Sequence, residues 1–285
     1  MAFKVRILAD SLAPSGSRLT TWEATYWRGI HSEVLTHRML SRSSGSSRAI
    51  PTLTFIQRVI DDPFIPAHIG KNQRGMQASE QLGEAEREQA VEEWINARNN
   101  ALISAEKMRK LGVHKQIVNR LLEPWMWITV LISATELENF WALRDHEAAE
   151  PHLQDLAREM RKLRDASKPV LLAAGQWHRP LWTPLNGGHE DDVQSLYDNF
   201  PIEEHEAVAN KISIGRCARV SYLTHDGRRD INEDIRLYND LMVKRPLHAS
   251  PAEHVAQALA EPERHGNFIG WKQYRKTLPF EYVEG

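Results

Sequence analysis

The sequence predicts an α+β protein, a mixed β-sheet with many helices, and three features lead there. Two early runs, FKVRILAD (3–10) and RLTTWEATYW (18–27), are rich in β-branched and aromatic residues, which suit a pleated, half-buried surface. Several later stretches carry apolar residues at helical spacing. No internal repeat or low-complexity tail interrupts them, and 285 residues are enough for a sizeable core.

Taken in order, the first strand closes on the turn-rich SLAPSGS (11–17) before the second begins. GIHSEVLTHRML (29–40) reads as a helix with Ile30, Val34, Leu35 and Leu40 along one side. Pro63, Pro66 and scattered glycines make 61–83 a loop. A long helix follows from about 84 to 111, opened by acidic residues and stopped at Gly112, as the helix dipole favours. Its Val91, Trp94, Ile95, Leu102 and Met108 keep helical spacing. Further helices are expected around 114–122, 125–145 and 151–165, the last striped by Leu153, Leu156, Ala157, Met160 and Leu163. A Trp/Pro/Gly-rich connection (175–190) leads to DINEDIRLYNDLMVKR (230–245), amphipathic through Ile231, Ile235, Tyr238, Leu241 and Met242. A strand near 254–260 and the short NFIGWKQYRKTL complete the order.

The formal charge of −2 gives no global reason to bind nucleic acid or an anionic membrane, so phosphate recognition must be local. MAFKVRILAD lacks the apolar core of a signal peptide. The most apolar run, WMWITVLISA (125–134), is about half a bilayer span, and a soluble, cytoplasmic protein is expected. The single cysteine, Cys217, excludes an internal disulfide and a multi-cysteine metal site.

Local anion recognition has a candidate in THRMLSRSSGSSRAIP (36–51). His37, Arg38, Arg42 and Arg48 stand there among five serines and a glycine. Arginine forks, hydroxyls and glycine-permitted backbone amides suit a phosphate or a pyrimidine edge, while the competing reading is a solvated basic loop. Three further segments space polar groups along apolar chain. ATELENFWALRDHEAAEPHL (134–153) carries Asn139 and Arg144, CARVSY (217–222) carries Ser221, and HASPAEH (248–254) alternates His248, Ser250, Glu253 and His254.

Together these segments resemble the flavin-dependent thymidylate synthases. That family's hallmark is Arg-His-Arg, seven residues, then Ser, usually followed by x-Arg. In THRMLSRSSGSSR, His37 and Arg38 match its second and third positions, Ser46 the serine and Arg48 the following arginine. HASPAEH is similar to the family's His-x-Ser/Thr-Pro-Phe-Glu-His segment, SATELENFWALR to its Asn-x-Arg-Ser-Leu-x-Asn-Phe-x-x-Leu-Arg helix, and CARVSY to its Ala-Arg-Val-Ser-Tyr. NRLLEP (119–124) is loosely similar to its Arg-x-x-Leu-Pro. The family's Ala-Arg-Val-Ser-Tyr and His-x-Ser/Thr-Pro segments usually precede the hallmark, whereas 217–254 here follows 36–48, an order that implies a circular permutation. One domain over 1–285 is expected: a hallmark-bearing part (1–170), a connection (171–210) and a permuted segment (211–285).

The resemblance implies reductive methylation of dUMP to dTMP, with FAD as cofactor and methylenetetrahydrofolate and NADPH as co-substrates, in a homotetramer with shared active sites. It assigns catalysis to Arg144 and Ser46, and substrate binding to Glu33, Ser46, Arg48, Arg120 and Arg144. Flavin contact falls to His37, Arg38, Asn139, Ser221, Ser250 and Glu253, with His248 between flavin and folate. Departures are Thr36 for the first hallmark arginine, Ser43 and Ser44 for Asn-Glu, Ser133 and Thr135 for a flavin-contacting Asn and Arg, and Ala252 for Phe. Glu33 and Glu150 stand where glutamines are usual. A carboxylate only accepts hydrogen bonds where an amide also donates, so another pyrimidine nucleotide such as dCMP, or hydroxymethyl transfer, is an alternative. A non-catalytic nucleotide or nucleic-acid binder is the reading from a different class.

Overall fold

A computed structural model of the protein describes residues 2–183, 190–222, 230–244, 247–279 and 281. In chain order β1 (Lys4–Leu12), β2 (Arg18–Trp27), α1 (His31–Thr36), β3 (Ser41–Ser44), α2 (Thr52–Asp61), α3 (Glu84–Lys110), α4 (Lys115–Val118) and β4 (Trp127–Ala134) form the first half. There follow α5 (Glu138–Arg144), α6 (Pro151–Ala166), β5 (Val170–Leu171), β6 (Trp177–His178), α7 (Glu190–Asn199), α8 (His205–Tyr222), α9 (Ile231–Met242) and β7 (Ala256–Ala258). Short strands β8 (Arg264–His265), β9 (Phe268–Ile269) and β10 (Trp271–Gln273) end the order. The principal sheet runs β3-β4-β2-β1-β5, antiparallel except where β5 lies parallel to β1, so it is mixed. A second sheet runs β10-β7-β6. No helix among the described residues is long and apolar enough to cross a membrane.

The largest departure from the sequence reading is at 125–145, where a strand replaces the expected helix. WITVLISA lies between β2 and β3 with both faces covered, and a strand buried on both sides shows no alternation to betray it. Helix resumes only at Glu138. The expected helix at 29–40 contracts to α1 and a preceding 3-10 turn, with Ile30, Val34 and Leu40 buried and Leu35 exposed. α2 has no counterpart in the sequence reading. Pro51 opens it, its carbonyl accepting from the Phe55 amide. The predicted α3, α6 and α9 form close to their expected bounds, α6 capped by Glu150 and α9 by Asp230. CARVSY is the last part of α8. Residues 184–189 of the expected connection lie outside the described residues.

α1, α5 and α6 cover one face of the sheet around Trp22, Val34, Phe140 and Leu156. Arg18 fastens α6 by reaching Asp10 (2.6 Å) and the carbonyls of Arg164 (2.6 Å) and Ser167 (3.1 Å), a cation at a helix C-terminus. α2, α3 and α4 enclose a second core around Phe55, Val118 and Trp125. A further cluster buries Cys217 with Leu8, Leu131, Leu181 and Val220. α8 and α9 cross closely because Gly215 has no side chain: a Cβ there would stand 2.3 Å from the Asp234 carbonyl oxygen. Asp234 is buried and accepts from Arg216 Nε (2.9 Å) and Arg219 Nε (2.6 Å), while Arg216 also pairs with Asp192.

A buried polar chain joins the two sheets. Ser11 Oγ meets His178 Nδ1 at 2.9 Å, His178 Nε2 meets Thr21 Oγ1 at 2.8 Å, Thr21 Oγ1 meets Ser133 Oγ at 2.6 Å, and Ser133 Oγ meets His254 Nδ1 at 2.8 Å. Each neutral imidazole offers one donor and one acceptor, so the chain can be ordered end to end. Burial drives the pKa of both rings down to about 3.

Two outcomes follow. Native rings that refuse protons, beside unfolded rings that take them near pH 6.5, leave stability complete above that pH. Stability falls as pH drops from there toward 3, with each ring costing on the order of 2 kcal/mol between pH 7 and 5. Denaturant midpoints measured across that range check this, and a midpoint flat from pH 7 to 5 would contradict it. Asp234→Ala, which removes the carboxylate shared by two buried guanidinium groups, should cost about 3 kcal/mol in urea unfolding.

Candidate functional site

The hallmark-like stretch is held from both ends. Arg42 donates to the carbonyls of Val34 (3.3 Å), Leu35 (2.8 Å) and His37 (2.9 Å), closing the C-terminus of α1. β3 then pairs with β4, and buried Ser41 accepts from Gln273 (3.0 Å) and Asn267 (3.3 Å) of the C-terminal segment. Beyond β3, the loop to Ile50 hangs on Asn119, whose amide donates to the Ser47 (2.8 Å) and Ile50 (3.0 Å) carbonyls, and on Lys115 to Ala49 (3.1 Å). Arg42 is therefore occupied structurally, whereas Arg38 and Arg48 are exposed with no side-chain partner among the described residues.

A first cleft of about 480 Å³ brings Ser46 and Arg48 together with His248 and Ser250 from the other end of the chain. His114, Gln116 and Ser44 also line it. His114 caps α4 by accepting from the Gln116 amide at Nδ1 (3.3 Å), which leaves its Nε2–H to face outward. One guanidinium, several hydroxyls and two imidazoles suit an anion such as a phosphate. His114 and Gln116 were missed in the sequence because GVHKQIV carries no motif; a histidine at a helix start was its sole signal.

A second cleft of about 370 Å³ contains His37, Asn139, Phe140, Glu136, Glu138 and Arg264. Asn139 is exposed on the short α5. His37 packs edge-on to Phe140 at 4.9 Å and accepts from Arg144 Nε at 2.8 Å; Arg144 also lies 3.6 Å from Glu33. Accepting at Nε2 requires an unprotonated nitrogen. The pKa of His37 is lowered accordingly, by burial first and then by the Arg144 and Arg42 cations.

The remaining candidates lie apart from these contacts. Arg120 pairs with Glu123 (2.8 Å) beside a different cavity, with Arg28 and His31. The Glu253 carboxylate is taken by Arg275 (2.5 Å). Ser221 ends α8, and its side chain lies outside the described residues. Thr36 donates to the Glu33 carbonyl (2.6 Å), Ser133 belongs to the buried chain, and Thr135 accepts from the Ile269 amide (3.2 Å). Glu150 is spent on capping α6 and on His152.

No family model matches the sequence, and no curated protein does. Two solved structures of the UMP/dUMP methylase PolB from Streptomyces cacaoi are similar in part. The one bound with 5-Br UMP gives a TM-score of 0.47 at 12% identity, over 56% of this chain and 88% of that one. The one bound with 5-Br dUMP gives 0.44 at 11%, over 56% and 89%.

Arg144→Ala should move the His37 pKa upward, because one of the cations opposing its protonation is gone, yet leave it below the usual histidine value because burial persists. An NMR titration of the His37 ring checks this; an unmoved midpoint would refute the electrostatic coupling.

Proposed function

We propose that this protein is an FAD-dependent pyrimidine nucleotide C5-methyltransferase of the thymidylate synthase type, acting on dUMP with methylenetetrahydrofolate and NADPH. The observation that carries the reading is convergence. The resembling segment at 36–48 shares one cleft with 248–250, through Arg48 and His248, and meets 139–144 at another, through Asn139 and the Arg144–His37 bond. A circular permutation, with new termini between the HASPAEH segment and the helix bearing His37, accounts for their order.

The retained residues fit a flavin in part. The exposed guanidinium group of Arg38 suits its phosphates, and Ser43 Oγ and Ser47 Oγ are buried without a partner among the described residues. Ser133 and Thr135 do not contribute, being engaged within the fold. His37, Arg38, Asn139, His248 and Ser250 would hold the cofactor. When bound, FAD supplies the hydride that turns a transferred methylene into a methyl group, after reduction by NADPH.

The rest falls to the chain. Arg48 and Ser46 hold the nucleotide. Arg144, its Nε fixed on His37, keeps other N–H groups to aim at a pyrimidine carbonyl, stabilising the charge that builds there as C5 becomes nucleophilic. Cys217 takes no part: it is fully buried, and burial pushes its thiol pKa far up. Completion of each site by neighbouring copies in a homotetramer is part of the proposal, supported by Leu53, Ile60, Ile103, Leu111 and Ile117 standing exposed on and beside α2, α3 and α4.

Purified protein should be yellow or take up added FAD, and should form dTMP from dUMP, methylenetetrahydrofolate and NADPH. Arg144→Ala should lower turnover by about 10²–10³-fold with FAD binding largely kept. A colourless protein that refuses FAD would remove the reading. Product from dCMP in place of dUMP would move it to the related methylase or hydroxymethylase.

A further inference from the structure

The second cleft has one wall that no sequence motif accounts for, supplied by the C-terminal hairpin. β8 and β9 pair Arg264 with Ile269 and His265 with Phe268 around Gly266, whose φ of +63° suits the tight turn. Phe268 is fully buried, the Ile269 amide donates to Thr135 Oγ1 (3.2 Å), and the Asn267 side-chain amide donates to Ser41 Oγ (3.3 Å). Both anchors adjoin cleft residues, since Leu40 precedes Ser41 and Glu136 follows Thr135. The hairpin therefore holds Arg264 in a fixed relation to the cleft.

Arg264 Nη2 stands 2.8 Å from Glu136 Oε2, and both residues line the cleft, which locates the guanidinium on its wall. The approach is an ion contact without hydrogen-bond alignment, so the N–H groups of Arg264 have no aligned acceptor among the described residues. The side chain is 48% exposed and open to a ligand. An ion pair this exposed contributes little to stability, so the fork can turn to a ligand at small cost. Arg264 is also the one cation among the described lining residues, against the carboxylates of Glu136 and Glu138. Without it the cleft would repel any group that gains negative charge.

We propose that Arg264 is a flavin-contacting residue, its guanidinium donating to the pyrimidine edge of the isoalloxazine ring, where a carbonyl oxygen and a ring nitrogen gather negative charge on reduction. The inference rests on the function proposed above, which gives His37 and Asn139 of this same cleft to the cofactor. A planar fork with unengaged N–H groups matches an oxygen and a nitrogen side by side. Because the charge on that edge grows as electrons arrive, the contact favours reduced over oxidised flavin.

The test is binding of FAD and of riboflavin to the intact protein, followed by flavin fluorescence, together with redox titration of the bound flavin. Arg264→Ala should weaken both oxidised ligands about tenfold, the equivalent of one charge-assisted hydrogen bond. Reduced flavin should lose about tenfold more, which lowers the two-electron potential by about 30 mV. Arg264→Lys, which keeps the charge without the fork, should hold the potential near that of the unaltered protein while still weakening the oxidised ligands. A loss confined to FAD would put the guanidinium on the phosphates, and an equal loss from both oxidation states would leave only a structural role; either result overturns the proposal. Unaltered protein that binds neither flavin removes the function proposed above and this contact with it, whereas flavin binding that Arg264→Ala leaves unchanged removes the contact alone.

Discussion

Five side chains drawn from β1, β2, β4, β6 and the turn before β7 share one run of hydrogen bonds, and the position of everything else follows from it. Hydroxyls and imidazoles buried this deeply cannot exchange their partners for water, so each link must be kept. Keeping them fixes the second sheet against the first. It also brings His248 and Ser250, a few residues ahead of His254, up to the loop that follows β3. Ser133 joins Thr21 to His254 in this run, and its place in β4 is why a position resembling a cofactor contact has become structural.

The arginines of the opening stretch divide their labour by the same logic. Arg42 saturates the end of α1, the His37 carbonyl included, while the His37 ring receives Arg144. Arg38 and Arg48, which no carbonyl or carboxylate claims among the described residues, keep their guanidinium groups exposed. A loop crowded with serine and glycine is ordinarily mobile; here Asn119 and Lys115 hold its backbone carbonyls, so its amides and hydroxyls keep a defined arrangement.

Much of the helical part was legible because α3, α6 and α9 each bury a stripe and begin at an acidic or capping residue. β4 was not, because a strand covered on both faces has no period and WITVLISA reads equally as buried helix. α2 escaped notice because its prolyl start looked like a stop. Within the candidate site, residues belonging to a quoted segment could be named, but their grouping could not. That Arg48 would face His248, and His37 face Arg144, depends on pairings between distant strands and helices that no local pattern records. His114 and Asn119 act by capping and by holding carbonyls, roles open to many polar residues in short helices.

Cys217 sits with Leu8, Leu131, Leu181 and Val220 and is sealed from solvent. Alkylating reagents, peroxide and disulfide exchange all require an accessible thiolate, which this position denies them. Modification of that sulfur by a thiol reagent accordingly reports the fraction of molecules whose α8 has opened.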